Sequence, residues 1–201
     1  MSIVKSVMIS PNFAISSSGY RGPGSVYDII HKIGRPRFVQ KGEAIIKEGA
    51  YSNFFIYIVQ GVFKTVAKVN ERPFILSFTF EDDIDCCQGA LLSGLPNSVT
   101  IEAVVDSEVL ICKMQDFESV ACKEDYHVII NKLLLYYLGF LERRLLGAIS
   151  LNAEQAYRLM LQQHPDKIKQ LPFSHIAGYL GITVERLSRI RKKLFGAELY
   201  N

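Results

Sequence analysis

The stretch FSHIAGYLGITVERLSRIRKKL, residues 173–194, decides the architecture of the C-terminal part of the chain. Its apolar spacing predicts a first helix from about Phe173 to Tyr179 and a second helix that begins after Thr183. Gly181 suits the left-handed backbone of a tight turn between the two helices. Thr183 is a good N-cap because its hydroxyl can accept a hydrogen bond from a backbone N–H in the first turn. The pattern therefore predicts a helix-turn-helix.

Apolar and polar residues of this motif fall on opposite sides of the two helices. The residues expected to hold the helices together are Ile176, Leu180, Ile182, Leu187 and Ile190. The polar side of the second helix could then enter a DNA major groove, which is about 12 Å wide. The residues expected to contact DNA are Ser174, His175, Thr183, Val184, Glu185, Ser188, Arg189, Arg191, Lys192 and Lys193.

The residue types on the second helix suit distinct contacts with DNA. Arg189 can donate two hydrogen bonds to a guanine, and Glu185 can accept one from the amino group of a cytosine. Ser188 can contact a base or a phosphate. The cations expected to neutralise phosphates, without reading sequence, are Arg191, Lys192 and Lys193.

Positive charge is concentrated around this motif. The whole chain has 23 Lys and Arg and 20 Asp and Glu residues, for a net charge of +3. Between Asp166 and Phe195, seven basic residues stand against two acidic ones, whereas the rest of the chain has 16 basic and 18 acidic residues. A local basic patch indicates a polyanionic partner, here double-stranded DNA. The alternative is that the basic helix docks on an acidic protein.

A different pattern fills the region from about Arg37 to Lys113, where short β-branched and aromatic runs are separated by turn residues. The runs predict strands at Ala44–Ile46, Phe54–Val59, Val62–Val69, Phe74–Phe80, Val99–Val104 and Val109–Cys112. Several short strands at fairly even spacing are typical of an antiparallel sandwich or barrel. Ahead of them, the Ser-, Gly- and Pro-rich segment 11–24 predicts a loop, and Tyr27–Lys32 predicts a short helix.

One long helix is predicted for Tyr126–Ile149, which contains few turn residues. Its stripe of leucines comprises Leu134, Leu138, Leu141 and Leu145. Spacings of four, three and four form the seam of two-stranded coiled coils, so we expect a homodimer interface along this stripe. The alternative is a helix that packs on its own domain. A further helix follows at Ala153–Gln163, and the domain boundaries are predicted at 1–117, 118–150 and 151–201.

Composition narrows the class of protein. Hydrophobic residues make up 49% and charged residues 21% of the 201, which is ordinary for a globular chain. The N-terminus lacks the features of a secretory signal, and no apolar run reaches the roughly 18 residues of a membrane helix. We therefore expect a cytoplasmic protein with no membrane partner. Segment 37–113 contains no histidine, and no nucleophile–base motif is present, so we expect neither a metal site nor an enzyme.

The four cysteines, Cys86, Cys87, Cys112 and Cys122, form no C-x-x-C pair. We interpret them as small buried hydrophobic residues, with thiol redox sensing as the alternative. No cysteine precedes Cys86, so an N-terminal iron–sulfur cluster is not expected, and neither is any other cofactor.

Several of these segments resemble the Crp-Fnr superfamily of bacterial transcription regulators, over about residues 37–194. GITVERLSRIRKKL (181–194) is similar to the recognition-helix segment of the family, and PFSHIAGYLGIT (172–183) is similar to the helix and turn before it. Glu185, Ser188 and Arg189 fall on the family pattern of Glu, then Ser or Gly, then Arg. The region around Tyr57 and Gly61 resembles the family's jelly roll.

The resemblance implies an α+β fold: an N-terminal antiparallel β jelly roll of the cyclic-nucleotide-binding type, a long dimerisation helix, and a C-terminal winged-type helix-turn-helix. It also implies a homodimer that binds an operator and works with RNA polymerase. Because the sequence given closes with FGAELYN (195–201), we expect a short or absent wing. Contacts with the DNA backbone would then fall more on Lys167, Lys169, His175 and Lys192.

The segment DIDCCQGALLSGLPNSVTIEAV (83–104) stands where cyclic-nucleotide-binding members hold their ligand. The resemblance places Cys86 and Cys87 at the family's Gly-Glu pair, and Asn97 and Ser98 at its Arg-Ser pair. We expect these four residues to line an effector pocket that does not bind cyclic AMP, since burying a phosphate without a cation costs several kcal/mol. An unidentified small molecule, or no effector at all, is then expected. The alternative is a cyclic-nucleotide-responsive regulator whose altered pocket uses Lys64 or Arg72.

Overall fold

The structure is a computed structural model that describes residues 26–120 and 123–196. Its strands are β1 (Arg35–Val39), β2 (Ala44–Ile46), β3 (Phe54–Gln60), β4 (Val62–Val69), β5 (Arg72–Phe80), β6 (Ile84–Asp85), β7 (Thr100–Ala103) and β8 (Ser107–Lys113). Its helices are α1 (Val26–Ile33), α2 (Gln88–Ser93), α3 (Met114–Val120), α4 (Lys123–Ser150), α5 (Ala153–Gln163), α6 (Pro165–Lys169), α7 (Phe173–Tyr179) and α8 (Val184–Phe195). The predictions for segment 11–24, for Cys122 and for residues 197–201 lie outside the described residues.

The strands form two antiparallel four-stranded sheets, one in the order β1-β8-β3-β6 and the other in the order β2-β7-β4-β5. The two sheets face each other across apolar side chains that include Ile56, Phe63 and Ile101, which are fully buried. This arrangement confirms the predicted antiparallel β jelly roll. We call the two packed sheets the β roll. Strand β1 was not predicted, because four of its five residues are exposed and Pro36 interrupts its pattern.

The helical part also follows the sequence pattern. Helix α4 runs from Lys123 to Ser150, slightly longer than predicted, and none of the described helices is long and apolar enough to cross a bilayer. It ends before Asn152, whose side chain accepts a hydrogen bond from the backbone N–H of Gln155 at 3.0 Å. The Gln155 side chain in turn accepts one from the Asn152 N–H at 3.0 Å, so a reciprocal capping box starts α5.

Helices α7 and α8 form the predicted helix-turn-helix. Gly181 has a φ of +66° in the turn, the left-handed conformation that favours glycine. The hydroxyl of Thr183 accepts a hydrogen bond from the Arg186 N–H at 3.2 Å, so Thr183 caps α8 as expected. Ile176 and Leu187 are buried between the helices.

The helix-turn-helix shares its hydrophobic core with the β roll. Phe78 of β5 packs against Tyr179 of α7 with ring centroids 5.7 Å apart, and Leu187 of α8 belongs to the same apolar cluster. Gly178 lets α7 approach the sheet closely, since a β-carbon there would lie 3.3 Å from the Ile75 side chain. The position of α8 is therefore set by its contacts with the β2-β7-β4-β5 sheet as well as by its own turn.

Candidate nucleic-acid interface and effector cavity

The solvent side of α8 carries most of the residues predicted to contact DNA. Val184, Glu185, Arg189 and Lys192 are exposed, whereas Leu187 on the opposite side is fully buried. Residues three and four apart lie on one helical face, so Glu185, Arg189 and Lys192 project in similar directions. The structure thus brings the predicted base-reading residues onto one exposed surface, with Ser188 half-buried beside them.

Glu185 is held in its charged form at the start of α8. Hydrogen bonds from its own backbone N–H and from the Thr183 hydroxyl, and the nearby Arg189 guanidinium, lower the pKa of its carboxyl. A carboxylate in the first turn also suits the positive end of the helix dipole. Glu185 is therefore a hydrogen-bond acceptor at neutral pH, as recognition of a cytosine amino group requires.

The three cations predicted to contact phosphates differ in their surroundings. Lys193 donates to Glu154 of α5 at 2.7 Å, and Arg191 lies over the Phe173 ring with its guanidinium carbon 5.7 Å from the centroid. Lys192 is exposed and has no side-chain partner within residues 26–120 and 123–196. Lys192 is thus the cation of this group that is most available to a phosphate.

The start of α7 faces the β roll. Ser174 is exposed, but the Nε2 atom of His175 lies 3.4 Å from the ammonium of Lys64 in β4. Burial and the Lys64 charge lower the pKa of His175, and its Nδ1 atom is buried without a partner among the described atoms. Lys167 likewise lies 3.9 Å from Asp83 and 4.7 Å from the Phe80 ring centroid. Phosphate contacts from His175 or Lys167 would require these contacts with the β roll to open.

The leucine stripe of α4 is exposed in the single chain. Leu138 and Leu145 expose 62% and 61% of their surface, and Leu134 and Leu141 are also exposed. Contiguous exposed apolar side chains on a helix are typical of an interface with another chain.

A cavity of about 230 Å³ lies between the β roll and α4. Three of the four residues predicted for an effector pocket line it, Cys86, Cys87 and Ser98, with Cys87 Sγ and Ser98 Oγ 3.8 Å apart. Asn97 lies outside this lining, because its amide is used within the roll: it accepts from the Ser52 hydroxyl at 2.7 Å and donates to the Lys47 carbonyl at 3.1 Å. The effector-binding role of Cys86, Cys87, Asn97 and Ser98 stays a prediction, and Asn97 is the one of the four whose side chain is engaged elsewhere.

The Cys86 and Cys112 thiols are shielded from water by the fold. Burial raises the pKa of the Cys86 thiol far above its usual range and that of Cys112 to about 12. Thiols in such surroundings stay protonated and react slowly, which favours the interpretation as small hydrophobic residues. No group of metal-ligating side chains occurs in the part of the chain that the structure describes.

The sequence matches the cyclic nucleotide-binding domain family over residues 36–123. Solved structures extend the similarity through the helix-turn-helix. FixK2 from Bradyrhizobium japonicum is 22% identical with a TM-score of 0.66, over 81% of this chain and 84% of that one. A Crp/Fnr-family transcriptional regulator from Eubacterium rectale is 16% identical with a TM-score of 0.64, over 85% and 83%. The chain shares the fold of these two structures.

A CooA mutant from Carboxydothermus hydrogenoformans also shares this fold, with 16% identity and a TM-score of 0.67 over 94% of this chain and 86% of that one. No curated protein sequence matches the chain significantly. At these levels of identity, the similarity establishes the architecture, while the side chains of this chain decide what it binds.

The titratable residues of the cavity that were not predicted from the sequence are Asp85, Tyr137 and Arg144. Asp85 is buried and accepts hydrogen bonds from the Thr79 hydroxyl at 2.6 Å and the Cys86 N–H at 2.9 Å. Burial raises the pKa of its carboxyl to about 6. Tyr137 and Arg144 come from α4, seven residues apart and hence on one face of the helix. That spacing, next to the cavity-lining segment of the roll, is the signal that could have revealed them.

Proposed function

We propose that this protein is a transcription regulator that binds operator DNA sequence-specifically as a homodimer. The exposed face of α8 supports the proposal most, because Glu185, Arg189 and Lys192 share it. The turn at Gly181 and the Thr183 cap fix where that face begins. A rigid helix with an acceptor, a bidentate donor and a free cation on one side suits a DNA major groove.

Each residue on this face has a distinct role in the proposal. Arg189 reads a guanine, Glu185 reads a cytosine, and Val184 meets a thymine methyl group. Lys192 and Ser174 bind phosphates and position the helix without reading sequence. Arg191 and Lys193 contribute less, because Phe173 and Glu154 already engage them.

The test is selection of binding sites from random duplexes with the purified full chain, followed by affinity measurements on the selected site. We expect Arg189→Ala to lose about 1–3 kcal/mol of binding free energy, or about 5- to 150-fold in Kd, and to relax preference at one base pair. Lys193→Ala is the matched control, since it removes a cation of the same helix that Glu154 neutralises. Failure to enrich any sequence, or equal losses for the two variants, would contradict the proposal.

The dimer follows from the exposed leucine stripe of α4. Paired stripes would place two copies of α8 about 34 Å apart, so the selected sites should be approximately palindromic. Leu138→Glu should convert the protein to monomers in sedimentation experiments, because charges at a coiled-coil seam are costly to bury. Glu142→Gln, an exposed change on the same helix, should leave the dimer intact. A wild-type chain that sediments as a monomer at micromolar concentration would refute the dimer.

We also propose that the effector is not a cyclic nucleotide. Lys64, one cation suggested for an altered phosphate site, pairs with Glu102 at 2.8 Å and does not line the cavity. The cavity of about 230 Å³ has room for one ring or a short chain, which is too little for a purine, a ribose and a cyclic phosphate together. Calorimetry with cyclic AMP and cyclic GMP should give no binding heat, and measurable heat would favour the cyclic-nucleotide-responsive alternative.

We also propose that the protein acts in the bacterial cytoplasm, works with RNA polymerase and catalyses no reaction. This part is supported by the regulators whose fold it shares.

A further inference from the structure

The cavity contains one cationic side chain among the residues that line it, Arg144. One of its N–H groups donates to the Tyr179 carbonyl at 2.8 Å, and its guanidinium carbon lies 4.0 Å from the centroid of the Tyr179 ring. Within residues 26–120 and 123–196, no acidic side chain pairs with it. A guanidinium has five N–H donors in a fork that matches a carboxylate, so several donors are left for a ligand.

A second donor lines the same cavity. Burial raises the pKa of Tyr137 to about 12, so its hydroxyl stays protonated. In the described part of the chain, this hydroxyl makes no hydrogen bond. The neighbouring lining residues Phe140, Leu141 and Val99 are apolar. An anionic ligand with a short apolar body would therefore meet both hydrogen-bond donors and hydrocarbon in this cavity.

The size and charge of the cavity restrict the ligand further. A cavity of roughly 150 Å³ takes one benzene ring, so about 230 Å³ accommodates one ring or a short chain with a polar head. Arg144 is the one cation among the lining residues and can compensate one negative charge, while the acidic Asp85 disfavours any charge beyond that. The ligand should therefore carry a single negative charge.

We propose that the cavity binds a small organic monocarboxylate, and that the Arg144 guanidinium is the group that recognises its carboxylate. This inference rests on the proposed function in treating the β roll as the sensor of a DNA-binding protein. Arg144 contacts the carbonyl of Tyr179, the last residue of α7, two residues before Gly181 in the turn to α8. A carboxylate on Arg144 is thereby linked through one side chain to the turn that orients α8.

The experiment is isothermal titration of the purified full chain with benzoate and hexanoate, each compared with its uncharged amide, benzamide and hexanamide. We expect at least one carboxylate to bind at least about tenfold more tightly than its amide, because the amide lacks the charge-assisted hydrogen bonds. Arg144→Gln should remove that preference, and Arg144→Lys should restore part of it. Arg143→Gln is the matched control, because Arg143 does not line this cavity.

The comparison of acid with amide on the wild-type chain keeps the test valid even if Arg144→Gln disturbs folding. Equal affinity for acids and amides, no heat with either carboxylate, or an unchanged preference in Arg144→Gln would each overturn the proposal. Binding to the selected duplex without ligand is measured separately. If DNA binding fails while the preference for acids over amides persists, the proposed function is wrong and the ligand assignment stands. If DNA binding is found without that preference, only the ligand assignment is wrong.

Discussion

Asp85 is predicted to make the fold less stable at neutral pH than at acidic pH. Its carboxyl group lies between the two sheets of the β roll, where it accepts hydrogen bonds from Thr79 at 2.6 Å and Thr65 at 3.3 Å. Burial away from water disfavours the charged form of Asp85. These bonds, and one from the Cys86 N–H, compensate only in part, since the pKa of Asp85 remains raised to about 6. Replacing Asp85 with asparagine removes the charge and keeps an acceptor oxygen.

The magnitude follows from the two pKa values of the group. In the unfolded chain an aspartate has a pKa of about 3.9, whereas Asp85 in the fold has a pKa of about 6. Between these values the folded state holds a proton that the unfolded state has released, so stability falls as the pH rises. Ionisation of Asp85 lowers the free energy of unfolding by about 3 kcal/mol once the pH is well above 6. About 2 kcal/mol of this decrease develops between pH 4 and pH 7.5.

The assay is urea unfolding of the wild type and Asp85→Asn at pH 4 and pH 7.5. The free energy of unfolding of the variant, relative to wild type, should increase by about 2 kcal/mol from the lower pH to the higher. Changes in hydrogen bonding largely cancel in this difference because asparagine does not titrate. Glu81→Gln, an exposed change in the preceding turn, should show no such increase. A relative stability that is independent of pH, or that falls as the pH rises, would refute the reasoning.

Three further perturbations test the helix-turn-helix and its contact with the roll. Thr183→Ala should lower the free energy of unfolding by about 1 kcal/mol, measured by urea unfolding, because the Arg186 N–H loses its cap. Leu187→Ala should cost about 2–5 kcal/mol in the same assay, whereas Val184→Ala on the exposed side should cost little; similar costs would contradict the assigned faces. His175→Gln should remove the part of the stability that wild type loses on acidification below about pH 6.5, since a lowered histidine pKa makes the folded state bind fewer protons than the unfolded one; a titration of stability against pH checks this.

Elements with a strong local pattern were predictable from the sequence. Strand β4 and helix α7 have the predicted bounds, and the turn at Gly181 has the predicted conformation, because each is encoded by residues close together in sequence. Strand β6 was missed because two residues, Ile84 and Asp85, give no periodic signal.

Contacts between distant segments account for what the sequence did not reveal. From the sequence, Lys64 and Arg72 on neighbouring strands were the cations suggested for the predicted effector pocket, whereas the cavity takes Arg144 from the far end of α4. The ion pair of Lys193 with Glu154 was equally hidden, since 39 residues separate the two side chains. Which cation faces a partner and which is neutralised within the fold depends on tertiary packing, and charge counts along a helix do not contain it.

The apolar cluster that joins Phe78 of the β roll to Leu187 of α8 also limits how the molecule could move. Any rotation of α8 away from the sheet would expose Tyr179 and Met160 to water, which is unfavourable. We therefore expect small tilts of α8 but no large rigid-body rotation. The two halves should then melt as one cooperative unit. A fragment that contains only the C-terminal helices would expose the apolar side chains that the sheet covers in the full chain, and it should therefore tend to self-associate.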